Sequence, residues 1–157
     1  MVSVPPPAAH RAAVLPPVYV SAAVLAMLVL HVAIPGRRVI VAPWLLLGVV
    51  PLLLGTALNV LADRTFKTSG TSVKPFERST HLVTDGVFAL SRHPMWLGMV
   101  LILAGVAVVL GTLTPFAVVL AFAILLDVRF IRAEEGMLAD TFGDRWRRYR
   151  SRVRRWL

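Results

Sequence analysis

The chain has 157 residues and a formal net charge of +9, and 57% of its residues are hydrophobic whereas 16% are charged. This composition, with a mean hydropathy of +0.75, argues against an ordinary soluble domain and predicts one integral membrane domain over residues 1–157. The sequence has no cysteine, which excludes disulfides, thiolate metal sites and cysteine nucleophiles.

The first part of the chain predicts two membrane-spanning helices within residues 16–62. Residues 12–36 and 39–62 contain no charged side chain when His31 is neutral. Each run is long enough to cross a hydrocarbon core of about 30 Å at about 1.5 Å per helical residue. Residues 1–15 include a run of prolines and are predicted to form a flexible leader, because the following apolar run is too long for a signal peptide.

A third apolar run, residues 94–126, predicts a helical hairpin within residues 95–130. As one straight helix it would extend about 50 Å, which is too long for a single crossing. The sequence GTLTP, from Gly111 to Pro115, favours a tight turn, so the second arm is expected to end near Asp127–Arg129. The predicted fold class is all-α: a polytopic membrane helical bundle with about four transmembrane helices, including this hairpin.

Glycines recur at a spacing of seven residues in the second and third apolar runs. Gly48 is followed by Gly55, and Gly98 is followed by Gly105. Seven residues make nearly two helical turns, so both members of a pair lie on one helix face. This pattern predicts close packing between helices.

The basic residues are concentrated in two segments. Nine of the 17 Lys and Arg residues are arginines at positions 129–155, and five more basic residues lie at positions 64–92. A four-span topology places the loop 63–94 and the helices of 131–157 on one side, which the positive-inside rule makes cytosolic. Membrane lipids are therefore expected partners. Nucleic acid is not expected, because the C-terminal arginines alternate with a membrane-type apolar stripe.

The C-terminal segment has the period of a cytosolic amphipathic helix. Five apolar residues recur at spacings of four, three, four and three, with arginines at most positions between them: Phe142, Trp146, Tyr149, Val153 and Trp156. Gly143 is expected to end the preceding helix and Asp144 to cap this one. Two interpretations stay open: a basic helix resting on anionic headgroups, or a helix that also covers a site at the membrane surface.

Arg92 and His93 directly precede Pro94, so they are predicted to lie in the loop before the third apolar run. Because a hairpin returns to the side where it began, both should lie near Glu134 and Glu135 in space. Ionisable groups at this depth indicate either a functional site or ion pairs that anchor the helix ends. The sequence has no metal-ligand spacing, so no metal is expected.

At these residues the chain resembles a known family. The segments TSGTSVKP and LVTDGVFALSRHPMWLG, followed by RAEEGMLADTFGDRWRRYRSRV, resemble the isoprenylcysteine carboxyl methyltransferase and phospholipid methyltransferase superfamily of integral membrane enzymes. The most specific element is an R-H-P-x-aromatic-x-G loop paired with a later E-E-x-x-L-x-x-x-F-G-x-x-aromatic-x-x-Tyr segment. The resemblance implies a cofactor, S-adenosylmethionine, on the cytosolic side, and seven cofactor-binding residues: Arg92, His93, Trp96, Gly98, Glu134, Glu135 and Tyr149.

The chemistry of these residues suits that cofactor. A glutamate can bind its ammonium group or ribose hydroxyls, and Arg92 or His93 can meet its carboxylate. Aromatic faces suit adenine and a sulfonium cation, and Gly98 would allow the backbone a close approach. Trp96 stands where tyrosine is usual in the family, so the stacking surface is kept and the phenolic hydroxyl is lost.

Methyl transfer from an activated sulfonium mainly requires alignment and exclusion of water. A carboxylate acceptor needs only a cation to orient it, and the predicted residues for this role are Arg132 and Arg129. An amine or thiol acceptor must lose a proton, for which His93 or a glutamate is the expected base. The acceptor is expected to be lipophilic or small: an isoprenylcysteine-like carboxylate, a phospholipid amine or a thiol.

Two alternatives remain open from the sequence. Sterol and steroid reductases share a related helical architecture, so an NADPH-dependent membrane reductase is one. The other is a non-catalytic anchoring protein, in which the arginine-rich helix accounts for the affinity for lipid.

Overall fold

The structure, a computed structural model, describes residues 16–68 and 81–157, and in this part of the chain the fold is helical with no strand. The predicted leader 1–15 and residues 69–80 of the predicted loop lie outside the described residues. The helices are α1 Pro16–Ala33, α2 Val49–Thr68, α3 Pro94–Leu110, α4 Leu113–Leu126, α5 Arg132–Phe142 and α6 Asp144–Arg152. Short 3-10 turns occur at Trp44–Gly48 and Gly86–Ala89, and a π-helical turn, Asp127–Ile131, joins α4 to α5.

Within residues 16–68 and 81–157, two continuous helices are long and apolar enough to cross a membrane: Trp44–Thr68 and Leu113–Phe142. Two further apolar helices, Val18–Ala33 and Pro94–Leu110, are shorter. Large aliphatic side chains such as Leu53 and Leu120 are exposed on the outer faces of the bundle. Such faces suit a hydrocarbon environment better than water.

The interface between α2 and the preceding 3-10 turn on one side and α3 on the other is built on the paired glycines. A Cβ added at Gly48 would lie 2.6 Å from the carbonyl oxygen of Gly105, and one added at Gly105 would lie 2.6 Å from that of Gly48. About two helical turns further along, Gly55 and Gly98 face each other in the same way. The predicted close packing is confirmed, because these backbones meet where no side chain fits.

The α3–α4 hairpin turns at Gly111, whose φ of +71° suits glycine, and Thr112. His31 at the end of α1 lies 2.7 Å, Nδ1 to Oγ1, from the buried Thr112, which fixes α1 to this turn. The apolar core between α1, α3 and α4 includes Met27, Leu103 and Leu126. This packing holds α3 and α4 antiparallel, so the start of α3 and the end of α4 lie at the same end of the bundle.

The structure corrects two predicted boundaries, in the second and third apolar runs. α2 continues to Thr68 rather than ending at 62, so the predicted loop 63–94 begins later. The second hairpin arm does not end at Asp127–Arg129 but continues through the π-helical turn to Phe142. The helix continues because Phe130 and Ile131 are buried in the core. Their burial outweighs the preference of the polar residues at Asp127–Arg129 for a helix end.

The predicted boundary at Gly143 is confirmed, because α5 ends at Phe142 and α6 begins at Asp144, but the C-terminal helix is shorter than its apolar stripe predicts. Gly143, with φ of +48°, is the N-cap of α6, and Asp144 makes no capping hydrogen bond; its carboxylate pairs instead with Arg147 at 3.1 Å. α6 ends at Arg152, and Val153 is extended, so the following residues leave the helical stripe. The tail, residues 153–157, returns to the loop before α3, where its carbonyl groups accept hydrogen bonds.

Candidate functional site

The loop Ser91–His93 is held rigidly at the start of α3. Ser91 and His93 are buried, and the His93 backbone N–H donates to Ser91 Oγ at 3.2 Å. Pro94 occupies the first turn of α3, and the helix begins as Leu97 N–H donates to the His93 carbonyl at 3.0 Å. The loop therefore presents Arg92 and His93 toward α5, as the hairpin predicted.

Glu135 is the centre of a group of paired side chains at this end of the bundle. This charged cluster consists of Arg92, His93, Asp127, Glu134, Glu135 and Arg155. Its Oε1 lies 3.0 Å from Arg92 Nη1 and 3.3 Å from His93 Nε2. Arg155 binds both oxygens, Nε to Oε1 at 3.2 Å and Nη2 to Oε2 at 2.7 Å. With 9% of its side chain exposed, Glu135 pairs with three cationic side chains and accepts hydrogen bonds from two of them, His93 and Arg155.

Glu134, one residue earlier on α5, has a different environment. Its Oε2 accepts a hydrogen bond from Trp96 Nε1 at 3.0 Å and lies 3.6 Å from His93 Nδ1. The side chain is 36% exposed, so Glu134 keeps acceptor capacity that Glu135 does not. The two neighbouring glutamates are thus distinguishable: Glu135 holds the protein's own cations, and Glu134 is accessible to a ligand.

His93 lies between the two carboxylates. Burial opposes the imidazolium, but hydrogen bonds to Glu134 and Glu135 and their negative charges prevail, so the pKa of His93 is raised above its ordinary value. A raised pKa favours the protonated imidazole, which supplies a cation to the cluster and is a poorer proton acceptor than the neutral form.

Two donors near this cluster are buried without an acceptor among the described residues. They are the Arg92 guanidinium, through Nε and Nη1, and the Trp146 indole Nε1. Although Arg92 Nη1 is 3.0 Å from Glu135, its N–H is not aligned as a hydrogen bond, and the Arg92 side chain is 8% exposed. Burial lowers the pKa of Arg92, whose Cζ lies 5.6 Å from the centre of a Trp146 ring. Buried unpaired donors are costly and call for an acceptor.

Trp146 and Tyr149 on α6 face inward, against the loop before α3, rather than toward lipid. Both are buried, and the Tyr149 hydroxyl donates to the Phe88 carbonyl oxygen at 2.6 Å. Burial raises the pKa of Tyr149, which keeps the phenol neutral and able to donate. Of the two interpretations of the apolar stripe, these residues fit the one in which the helix covers the cluster.

Of the remaining predicted site residues, Trp96 donates to Glu134, whereas Arg132, Arg129 and Gly98 lie outside the buried part of the cluster. Arg132 pairs with Asp127 Oδ2, through Nη2 at 2.9 Å and Nε at 3.0 Å, and its side chain is 62% exposed. Arg129 is also exposed. Gly98 faces α2, where an added Cβ would overlap Asn59 Nδ2 and the Gly55 carbonyl oxygen, so helix packing accounts for a glycine at this position. Trp96 packs on Phe130 with ring centroids 5.2 Å apart.

Three participants in the cluster were not predicted as site residues: Ser91, Trp146 and Arg155. The sequence could have indicated Trp146 as a site residue, because it occupies the aromatic position of the E-E…F-G-x-x-aromatic segment. The spacing of the apolar residues instead placed it in the apolar stripe of the C-terminal helix. Arg155 has no such signal, because it is one of nine arginines in the same region and only its long-range contacts distinguish it.

Comparisons with known proteins identify the relatives of this chain. It is 37% identical over 75 residues to the protein-S-isoprenylcysteine O-methyltransferase of Schizosaccharomyces pombe, a match that covers 46% of this chain and 30% of that protein. An uncharacterized protein of Haemophilus influenzae is 38% identical over 63 residues, which are 40% of this chain and 100% of that protein.

A solved structure shares the fold. It is that of a eukaryotic intramembrane Ras methyltransferase, isoprenylcysteine carboxyl methyltransferase, with a TM-score of 0.67 and 24% sequence identity over 90% of this chain. The chain spans 51% of that structure's chain. The sequence profile of phospholipid methyltransferases matches residues 43–145, which include the loop before α3, both glutamates and the first two residues of α6. The chain therefore belongs to the phospholipid methyltransferase family.

Proposed function

We propose that the chain is an integral membrane methyltransferase that uses S-adenosylmethionine and methylates a lipophilic or small acceptor at the membrane surface. The observation that carries the proposal is the combination of a partly free carboxylate, Glu134, with the buried unpaired donors of Arg92 and Trp146 in a member of a methyltransferase family. An amino-acid moiety carries the complementary pair of groups, an ammonium and a carboxylate.

The residues of the cluster fit such a cofactor. Glu134 would bind its ammonium group or ribose hydroxyls, and the Arg92 guanidinium, held in place by Glu135, would bind its carboxylate. Trp96 offers an aromatic face for adenine or the sulfonium. Tyr149 would contribute indirectly, because its hydroxyl donates to the Phe88 carbonyl oxygen and so holds the loop before α3. When bound, the cofactor supplies a methyl group already activated on a sulfonium.

The raised pKa of His93 bears on the choice of acceptor. An amine or thiol must lose a proton, whereas a carboxylate needs only a cation to orient it. Because the two flanking glutamates favour the imidazolium of His93 over its neutral, basic form, a carboxylate acceptor fits these residues best. Arg132 and Arg129, exposed at the start of α5 and in the π-helical turn before it, are the residues we assign to orient it.

The same proposal includes the arrangement in the membrane. All four apolar helices, including the two shorter ones, would cross or enter the bilayer as four spans, and the charged cluster with the C-terminus would face the cytosol. The acceptor would then reach the cluster from the surrounding lipid. A lipophilic acceptor suits this route because the outer helix faces are apolar.

Transfer of a tritiated methyl group from S-adenosylmethionine tests the proposal. Purified protein in lipid nanodiscs would be given a prenylated cysteine, a phospholipid amine or a hydrophobic thiol. We expect incorporation into the prenylated cysteine that alkali releases as methanol, the signature of a methyl ester. The Glu134→Gln variant should lose activity, whereas Arg148→Gln on the exposed face of α6 should keep it.

Other results would redirect the assignment. Alkali-stable incorporation into the amine or thiol would keep the methyltransferase and overturn the carboxylate acceptor. Absence of any transfer, with NADPH oxidised instead, would favour the reductase, and inactivity with both cofactors in folded protein would favour the anchoring protein.

A further inference from the structure

The tail contacts three separate segments of the charged cluster through one residue and its neighbour. The Arg155 guanidinium binds Glu135 on α5 through two nitrogens, at 3.2 and 2.7 Å. Its third nitrogen, Nη1, donates to Asp127 Oδ1 on the π-helical turn at 2.9 Å. The Arg155 carbonyl accepts from Ser91 Oγ at 3.1 Å, and the Arg154 carbonyl accepts from the Arg92 backbone N–H at 3.0 Å.

These contacts fix the loop before α3 relative to the α4–α5 helix. The backbone of the tail binds the loop, and the Arg155 side chain binds the helix, so one residue joins the two. Trp156, packed against the apolar core, secures the tail beyond it. Glu135 keeps Arg92 and His93 as partners if Arg155 is removed, so the cluster does not depend on Arg155 for charge balance alone.

We infer that Arg155 is a positioning residue that sets the distance between Arg92 on the loop and Glu134 on α5. The inference rests on the proposed function, in which these two side chains bind different groups of the same cofactor. A carboxylate and a guanidinium that share one ligand must be held within a few tenths of an ångström, since small displacements weaken both contacts. The planar fork of arginine can bind two carboxylates in one fixed geometry, whereas a lysine ammonium cannot.

Three variants separate positioning from charge. Arg155→Gln removes the fork, Arg155→Lys keeps the charge without the fork, and Arg154→Gln is the matched control, because the Arg154 side chain is exposed and its role in the tail is through the backbone. Hydrogen exchange of the ligand-free protein reports on the Arg92 amide, and calorimetric titration reports on affinity for S-adenosylhomocysteine.

We expect Arg155→Gln to accelerate exchange at the Arg92 amide at least tenfold and to weaken S-adenosylhomocysteine binding at least tenfold, with α2–α3 amides unchanged. Arg155→Lys should fold and recover only part of either effect, and Arg154→Gln should match the wild type. Unchanged exchange in Arg155→Gln would overturn the inference, and so would full recovery by lysine. Faster exchange with unaltered affinity would also overturn it.

Failure of the proposed function gives a different result. If the wild-type protein binds no S-adenosylhomocysteine, the cofactor assignment is wrong, while the exchange rates still decide whether Arg155 fixes the loop to the helix.

Discussion

Two regions that adjoin α3 are stabilised in contrasting ways. Against α2, the helices approach through glycines, with no charged side chain in the glycine contacts. At the N-terminal end of α3, long charged side chains surround Glu135. The first region depends on the absence of side-chain atoms and the second on the pairing of charges. We therefore expect the helix interface to fail when an atom is added and the charged cluster to fail when a charge is removed.

The largest effect should follow from removing the charge of Glu135. In Glu135→Gln, three cationic groups lose their common partner while the site stays buried. We expect a loss of about 3–5 kcal/mol in the free energy of unfolding, the usual cost of breaking a buried ion pair. Glu134→Gln is the matched control, because Glu134 is 36% exposed, and its stability should change by less than about 1 kcal/mol. Equal losses in the two variants, measured by denaturation in detergent, would contradict the distinction between the glutamates.

The next effect should follow from adding one methyl group at the helix interface. In Gly105→Ala, the new Cβ would lie 2.6 Å from the Gly48 carbonyl oxygen and 2.9 Å from the Leu52 nitrogen. We expect destabilisation of about 1–3 kcal/mol from overpacking, measured as a lower unfolding midpoint. Gly136→Ala on α5, where no atom lies within 4 Å of the new Cβ, should be neutral or slightly stabilising. A Gly105→Ala protein as stable as wild type would show that the helices do not meet through these backbones.

A smaller effect is expected for Trp96→Phe. The substitution keeps an aromatic ring on Phe130 and removes the indole N–H that donates to Glu134 at 3.0 Å. The free energy of unfolding should fall by about 1 kcal/mol. Glu134 would also lose the donor that orients it. The free energy of binding S-adenosylhomocysteine should therefore weaken by more than the free energy of unfolding does. Calorimetry beside thermal denaturation measures both, and unchanged affinity would argue against a role for this hydrogen bond in the site.

The pH dependence of stability should distinguish the two regions most finely. The pKa of His93 is raised in the folded state, chiefly because hydrogen bonds to two glutamates outweigh its burial. Its contribution is then fully present below the unfolded pKa of about 6.5 and is lost as pH rises through the folded pKa. The unfolding midpoint of the wild type should therefore decrease as the pH is raised above about 6.5. In His93→Gln the midpoint should depend less on pH. A wild-type profile as flat as that of the variant would contradict a raised pKa of His93.

Much of the helix interface could be predicted from the sequence because its signal is local. The seven-residue spacing of Gly48, Gly55, Gly98 and Gly105 places each pair on one face whatever the rest of the chain does. The convergence of Arg92 and His93 with Glu134 and Glu135 was also predictable from local signals. A proline marks the start of α3, and the hairpin brings the end of α4 back to the same side.

The parts that escaped prediction depend on long-range contacts. Asp127 looks like the end of a span, yet the burial of Phe130 and Ile131 carries the helix onward through a π-helical turn. Arg155 differs from its neighbouring arginines only by the carboxylates it meets in the folded chain. The inward direction of Trp146 likewise depends on the loop against which α6 packs.

Calorimetric titration of the purified protein with S-adenosylhomocysteine tests the central claim most directly, that the charged cluster is a cofactor site. We expect saturable binding to the wild type, loss of binding in Glu134→Gln and His93→Ala while both variants keep cooperative unfolding, and no heat from NADPH. Wild-type affinity in both variants, or binding of NADPH alone, would contradict the assignment.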